Sequence, residues 1–327
     1  MTPHPFDSEF RVTREQIERF SRDGFVKLNG FLNASVVRML LNRVDTELAR
    51  GMAVDLNRGK SDRARSDSVF NRVQYDFESD KTHIFELLER AYFRQALTDL
   101  TGCELFLAFE MSFEIEKNVN KGLPWHVGVQ SFGYQFAEDF GCTLWAPLHP
   151  VDTTGQRGGM AYVPEHVLSG EFVYSADLAV VEALKARERA GKKTNVEDYF
   201  GLRMGILNSP VMDELLEAHQ VEDDFEPGDV FLFNKNVIHR SVMLDDGALS
   251  RRAAYVLRFV DATSRYDLHR ARTLEFHVDQ YGTGLFARKP VTRQHIEIAE
   301  AGVEHGDLLA ECAYFSDRGR RLVRRTR

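Results

Sequence analysis

Two hydrophobic rhythms run along this chain, and the change from one to the other sets out its elements. Between Thr13 and Leu48, apolar residues recur at helical spacing in Arg14-Glu-Gln-Ile-Glu-Arg-Phe and again from Ala34 to Leu48, on either side of Gly24-Phe-Val-Lys-Leu. This predicts helix, short strand, helix. A further helical pattern covers Ile84 to Leu100, and Leu105 to Ile115 reads as a long strand. Short apolar or aromatic runs bounded by Gly, Pro, Asn or Asp then follow at Val129–Phe136, Cys142–Leu148, Met160–Val163, Asp229–Phe233 and Ala253–Val260; each predicts a strand. Ser175 to His219 returns to helical spacing and reads as an insertion on the strand scaffold. After Ser264 the pattern is mixed, with a helix predicted over Val291 to Ala301. No internal repeat or low-complexity linker divides the chain. One domain over 1–327 is expected: a flank at 13–100, a strand-rich core at 101–262 carrying the insertion 175–219, and an extension at 263–327. The fold class is mainly β with helical decorations.

Composition adds exclusions. With 327 residues, 43% hydrophobic and 28% charged, the chain can bury a substantial core. Its net charge of −8 comes from acids and bases mixed along most of its length, so no basic footprint for a nucleic-acid polymer is present. Only Arg318 to Arg327 is strongly basic, which reads as a solvated terminus. Cys103, Cys142 and Cys312 lack the paired spacing of a zinc site or disulfide framework and suit a reducing cytoplasm. Residues 1–30 carry Asp7, Glu9, Glu15 and Glu18 in place of a signal-like apolar run, and no uncharged stretch is long enough to span a bilayer. A cytoplasmic enzyme that binds no membrane is the expectation.

Among eleven histidines, two stand at strand margins, where barrel folds display ligands. His126 lies in Leu123-Pro-Trp-His-Val-Gly-Val-Gln and His239 in Phe231-Leu-Phe-Asn-Lys-Asn-Val-Ile-His-Arg-Ser. Either alone would read as a core or rim histidine. The surroundings lift the pair: Phe225-Glu-Pro-Gly-Asp-Val-Phe-Leu-Phe feeds a strand before His239, and Ser250-Arg-Arg-Ala-Ala-Tyr-Val-Leu-Arg-Phe opens another after it. A metal-ligating histidine followed one hairpin later by an inward arginine suits a 2-oxo dicarboxylate, chelated at one end and gripped by a guanidinium fork at the other.

With those pieces in place, the chain resembles the phytanoyl-CoA dioxygenase-like family of iron(II)/2-oxoglutarate enzymes over residues 13–262. The ordered pieces are Arg22-Asp-Gly-Phe-Val-Lys-Leu, Pro124-Trp-His, Leu144-Trp-Ala-Pro-Leu-His-Pro-Val-Asp, Gly158-Gly-Met-Ala-Tyr-Val-Pro-Glu-His, Pro227-Gly-Asp-Val, His239-Arg-Ser and Arg251-Arg-Ala. The resemblance implies a double-stranded β-helix (a cupin-like jelly roll), His126 and His239 as iron ligands, and Arg251 as the 2-oxoglutarate residue. Arg252 is the alternative, since alternation turns one of the two neighbours inward. His149 and His166 match no ligand position and read as structural.

The chain departs from the family where His-x-Asp or His-x-Glu is usual: here His126-Val127-Gly128. A missing carboxylate leaves a coordination position and removes a negative charge, so chloride can bind iron(II) directly. This resembles the iron/2-oxoglutarate halogenases and implies C–H chlorination of a small-molecule substrate with O2 and chloride, yielding succinate and CO2. Three plainer readings stand beside it: a bulge glycine with the acid supplied by Glu138 or Asp139, a hydroxylase working with two histidines and water, and a family member without catalysis. Gln130, Phe132, Tyr134 and Asn236, with Phe113 behind them, are candidates for the substrate wall. The insertion and the C-terminal extension are long enough to cover a barrel mouth, and Arg203, Arg265 and Arg270 within them could meet a phosphate or carboxylate. The substrate class expected is a freestanding polar metabolite such as an amino acid or nucleotide.

Overall fold

The computed structural model describes residues 4–49, 54–55, 69–75, 77, 80–128, 131–194, 202, 205–272, 298, 300–316 and 322–323. Its first helix, α1 (Arg14–Asp23), begins with a capping box in which Thr13 and Gln16 exchange side-chain and backbone hydrogen bonds, and ends at Gly24 with φ 77°. β1 (Phe25–Leu28) and α2 (Ala34–Ala49) complete the predicted helix–strand–helix opening. The segment expected to form one helix over 84–100 is two, α3 (Thr82–Leu88) and α4 (Ala91–Thr101), broken at Glu89–Arg90 where Arg90 is extended.

Then come β4 (Leu105–Glu116), β5 (Gly141–Pro147), β6 (Met160–Val163), α5 (Glu171–Arg189), α6 (Pro210–His219), β7 (Val221–Glu222), β8 (Val230–Asn234), β9 (Ile238–Ser241) and β10 (Arg251–Asp261). Short strands β2 (Val54–Asp55) and β3 (Arg72–Tyr75) precede β4. The main sheet has the order β1-β8-β5-β10-β4-β3-β2, with Leu322–Val323 also pairing β4, and β7-β6-β9 form a smaller sheet. All described pairings of named strands are antiparallel.

Alternation along β10 divides two cores. Ala254, Val256 and Val260 join Phe25, Phe109, Trp145, Phe231 and Phe233 on the inner face. Ala253, Tyr255, Leu257 and Phe259 join Phe20, Phe31, Leu40, Ile84 and Leu97, contributed by the N-terminal helices and their loops, on the outer one. The small sheet closes over the inner face: the Tyr162 ring of β6 stacks on Phe231 at 4.2 Å and meets Phe25 edge-on at 4.6 Å. The architecture is a double-stranded β-helix with helices on its outer surface.

One predicted strand is absent. In the run from Val129 to Phe136, residues 131–134 form a turn, with Ser131 and Phe132 N–H both donating to the Gly128 carbonyl. The Gly128 carbonyl takes two local donors in place of a ladder partner. The insertion begins at Glu171, four residues before the predicted start. The helix expected over Val291–Ala301 falls largely outside the described residues, as does most of the basic tail. No described helix is long and apolar enough to cross a membrane.

Candidate metal and co-substrate site

His126 and His239 face each other as an antiparallel bridge. Each donates its backbone N–H to the other's carbonyl, at 2.9 and 3.0 Å, while β9 holds His239 opposite Tyr162 of β6. Their ring centroids lie 4.1 Å apart. In each ring Nδ1 lies 2.8 Å from a carbonyl two residues upstream, Pro124 O for His126 and Val237 O for His239. A carbonyl can only accept, so Nδ1 carries the proton and Nε2 keeps the lone pair that a metal requires. Burial, and secondarily the neighbouring His126, hold the His239 pKa well below the ordinary histidine value. The ring is therefore neutral at neutral pH, as a ligand must be. The pair fits a divalent metal.

Among the described residues no His, Cys, Asp or Glu joins them to make a group of three. Asp139 instead accepts the Arg265 N–H at 2.8 Å, and Glu138 is exposed. Gly128 is buried and donates its N–H to Lys235 O at 3.1 Å. A Cβ added there would lie 2.9 Å from Cδ2 of Phe132 and 3.3 Å from the Lys235 carbonyl oxygen, so the Phe132 ring occupies the approach that an acidic side chain would use. Tyr134 is fully buried, 6.0 Å from the Phe315 ring, and Asn236 lies in the turn joining β8 to β9, its Oδ1 buried with no hydrogen-bond partner among the described residues. Because 131–134 is a turn, Phe132 and Tyr134 do not form the alternating wall expected of a strand. Gln130 lies outside the described residues, as does Arg203. Phe113 stacks on Phe70 at 4.5 Å and packs at the edge of the inner core.

The arginines separate by strand parity. Arg251 is turned outward, where its guanidinium pairs with Glu114 at 2.6 Å and Asp45 at 3.0 Å. Arg252 points inward and is 2% exposed, but it donates to Gly158 O at 2.6 Å and lies over Trp145; burial lowers its pKa to about 10. Arg258 shares that inner face six residues further on, roughly 20 Å along the strand at ~3.3 Å per residue. Register puts Arg258 opposite Thr143, and Thr143 opposite Phe233. The Phe233 ring lies 4.8 Å from the His239 ring, and Arg258 Nη1 donates to Thr143 Oγ1 at 2.6 Å with its guanidinium 5.5 Å from the Phe132 ring. Arg258, not Arg251 or Arg252, is the arginine at the level of the histidines. Alternation alone did not fix which face of the strand turns inward, and the family resemblance drew attention to Arg251 and Arg252 and away from Arg258.

The residues flanking the two histidines are tied to the insertion. Asn208 accepts from Trp125 N at 3.1 Å and donates to Trp125 O at 2.9 Å, and the indole N–H donates to Asp213 of α6 at 3.1 Å. Arg240, next to His239, pairs with Glu217 of α6 at 3.0 Å and lies over the Trp125 ring at 5.1 Å. His149 accepts the Ala253 N–H at 3.2 Å and His166 meets Asp23 at 2.8 Å, both structural contacts.

No protein-family model matches this sequence, and no curated protein does. Solved structures do match in fold. What they share with this chain is the jelly-roll fold that the sheet topology defines. The chain is similar to the non-heme alpha ketoglutarate dependent epimerase SnoN from nogalamycin biosynthesis, at 18% identity over 95% of this chain and 98% of that one, TM-score 0.59. It is similar also to the carbocyclase SnoK from nogalamycin biosynthesis, at 16% identity over 78% and 86% of the two chains, TM-score 0.53. A third likeness is to EctD from S. alaskensis with 2-oxoglutarate and 5-hydroxyectoine, at 16% identity over 78% of each chain, TM-score 0.52. At such identities the likeness establishes the fold.

Proposed function

We propose that this chain is an iron(II)/2-oxoglutarate-dependent oxidoreductase acting on a small freestanding metabolite, and that it chlorinates a C–H bond. The observation that carries the reading is the bridged histidine pair, both rings locked with Nε2 as the lone-pair nitrogen, in a site where Gly128 replaces the carboxylate and no described acid stands in. The similar structures named above support the iron and 2-oxoglutarate part. Iron(II) with 2-oxoglutarate supplies, when bound, oxygen activation coupled to decarboxylation of the co-substrate to succinate and CO2.

His126 and His239 hold the metal. Arg258 receives the distal carboxylate of 2-oxoglutarate, with the Thr143 hydroxyl fixing its guanidinium. Phe132, Phe233 and Trp145 keep water from the inner face. Gly128 brings no donor atom to the metal, and chloride would take the coordination position that a carboxylate would otherwise hold, beside the Phe132 ring. The contact between Phe132 and Gly128 favours a second reading as well: packing alone is a sufficient reason for glycine here, and a hydroxylase with two histidines and water would look the same.

The test is anaerobic addition of iron(II) and 2-oxoglutarate to the protein, followed by chloride at constant ionic strength. A visible charge-transfer band that shifts saturably with chloride supports the halogenase; a band indifferent to chloride leaves an oxygenase. No band at all rejects the metal site. Arg258→Lys is expected to raise the 2-oxoglutarate Kd at least about tenfold by losing the bidentate fork, whereas Arg251→Lys leaves it unchanged.

A further inference from the structure

Lys235 is 3% exposed yet makes no ion pair among the described residues. Its backbone is pinned on both sides, N–H to Gly141 O at 2.9 Å and carbonyl to Gly128 N–H at 3.1 Å, so it stands directly beside the Gly128 segment. The ammonium donates to Phe136 O at 3.0 Å and lies 5.0 Å from the centre of the Tyr174 ring. An ammonium has three N–H donors, and the described contacts use one of them. Burying such a charge without a counter-ion is costly: burial lowers the Lys235 pKa to about 7 even though Asp139, Glu138 and Glu171 pull it upward.

A second buried cation reaches the same ring from the C-terminal extension. Arg270 is 3% exposed, lies 5.2 Å from the Tyr174 ring centre and donates to Tyr174 O at 2.9 Å, with Asp267 at 3.8 Å. Two like charges thus converge on one aromatic side chain of α5, next to the segment that follows His126. A shared anion would relieve their mutual repulsion and supply the acceptor that the Lys235 ammonium lacks.

We propose that Lys235 and Arg270, with the Tyr174 ring between strand scaffold and insertion, form a subsite for an oxyanion group of the substrate, a carboxylate or a phosphate. This rests on the iron/2-oxoglutarate reading for the word substrate. The anion is a different one from 2-oxoglutarate, whose distal carboxylate belongs to Arg258 on the inner face. A plainer role, in which Lys235 merely pins the 131–136 turn through Phe136 O, makes a different prediction for the same variants.

The experiment uses the full chain, anaerobic, with iron(II) and saturating 2-oxoglutarate. The 2-oxoglutarate Kd is measured first; methyl phosphate, acetate and neutral methanol are then titrated by calorimetry. Saturable binding of one anion, with no binding of methanol, is expected, and the phosphate and acetate arms say which oxyanion the site takes. Lys235→Met should weaken that anion at least about tenfold, the scale of one charge-assisted hydrogen bond, with the 2-oxoglutarate Kd unchanged, while Lys235→Arg keeps it within about threefold. Equal anion affinity in Lys235→Met, or no saturable anion binding by the 2-oxoglutarate-loaded protein, overturns the proposal. Should Lys235→Met fail to fold, Arg270→Met carries the same comparison. If iron and 2-oxoglutarate do not bind, the enzyme reading fails by itself; Lys235-dependent anion binding then still stands as a ligand site.

Discussion

Packing gives Gly128 one reason to be glycine and the proposed chemistry would give it another, and substitution separates them. Its side-chain direction is filled by the Phe132 ring at 2.9 Å and by a carbonyl oxygen at 3.3 Å, so Gly128→Asp overpacks a buried site whatever its chemistry. A loss of about 1–3 kcal/mol in urea unfolding is expected, with Phe132→Leu in the same chain recovering most of it. The double variant is therefore the fair control for chloride dependence; a double variant as unstable as the single one would show that the ring is not the obstacle. His239 yields a pH expectation at the same scale. Its folded pKa is depressed, so below the ordinary value of 6.5 the unfolded chain binds the extra proton. Stability is complete above that pH and falls as pH drops below it, by up to about 1.4 kcal/mol per pH unit for one proton. Urea midpoints of the metal-free protein at pH 7 and 5.5 should separate more for wild type than for His239→Gln.

His126 and His239 owe their placement to segments far away in sequence. Among the described residues no strand pairs Trp125 on the Asn208 side; the Asn208 amide supplies a matched acceptor and donor in its place. Asn208→Ala is expected to weaken iron(II) binding by about tenfold or more, the usual scale for a group that orients a ligand, with the overall fold retained by circular dichroism. Unchanged iron affinity would reduce Asn208 to a tether for the insertion. Such a clamp is invisible to periodicity, because it joins positions 83 residues apart. For the same reason the run from Val129 to Phe136 misled: β-prone residues predict a strand, but the Gly128 carbonyl captures two local donors and the turn prevails.

Across the molecule, the main sheet keeps the two histidines on one side and a buried ion cluster on the other. Glu110, fully buried on β4, accepts from Arg43 of α2 at 2.6 Å and from the Tyr255 hydroxyl, with Lys81 at 3.6 Å. Removing Arg43 leaves the buried carboxylate with only the more distant Lys81 and the Tyr255 hydroxyl, so Arg43→Met should cost roughly 3 kcal/mol in chemical denaturation. Arg43 packs on the outer face, so 2-oxoglutarate affinity at permissive temperature should stay as in wild type; a parallel loss would mean that the two faces communicate.

The mainly β core and the N-terminal helix–strand–helix were legible in the sequence, because each is carried by residue type and local period, whereas the 131–134 turn and the short strand Ile238–Ser241 were not. Which arginine stands beside the two histidines was not legible either: alternation divides β10 into two faces, but only the register of Arg258 on Thr143, and of Thr143 on Phe233, decides which inward arginine is at the level of His239. The meeting of Lys235, Tyr174 and Arg270 was equally hidden, since it joins the β8–β9 turn, the insertion and the C-terminal extension. A sequence records spacing along the chain, whereas charge burial and ligand geometry depend on distance in space, and those appear only when the sheet closes.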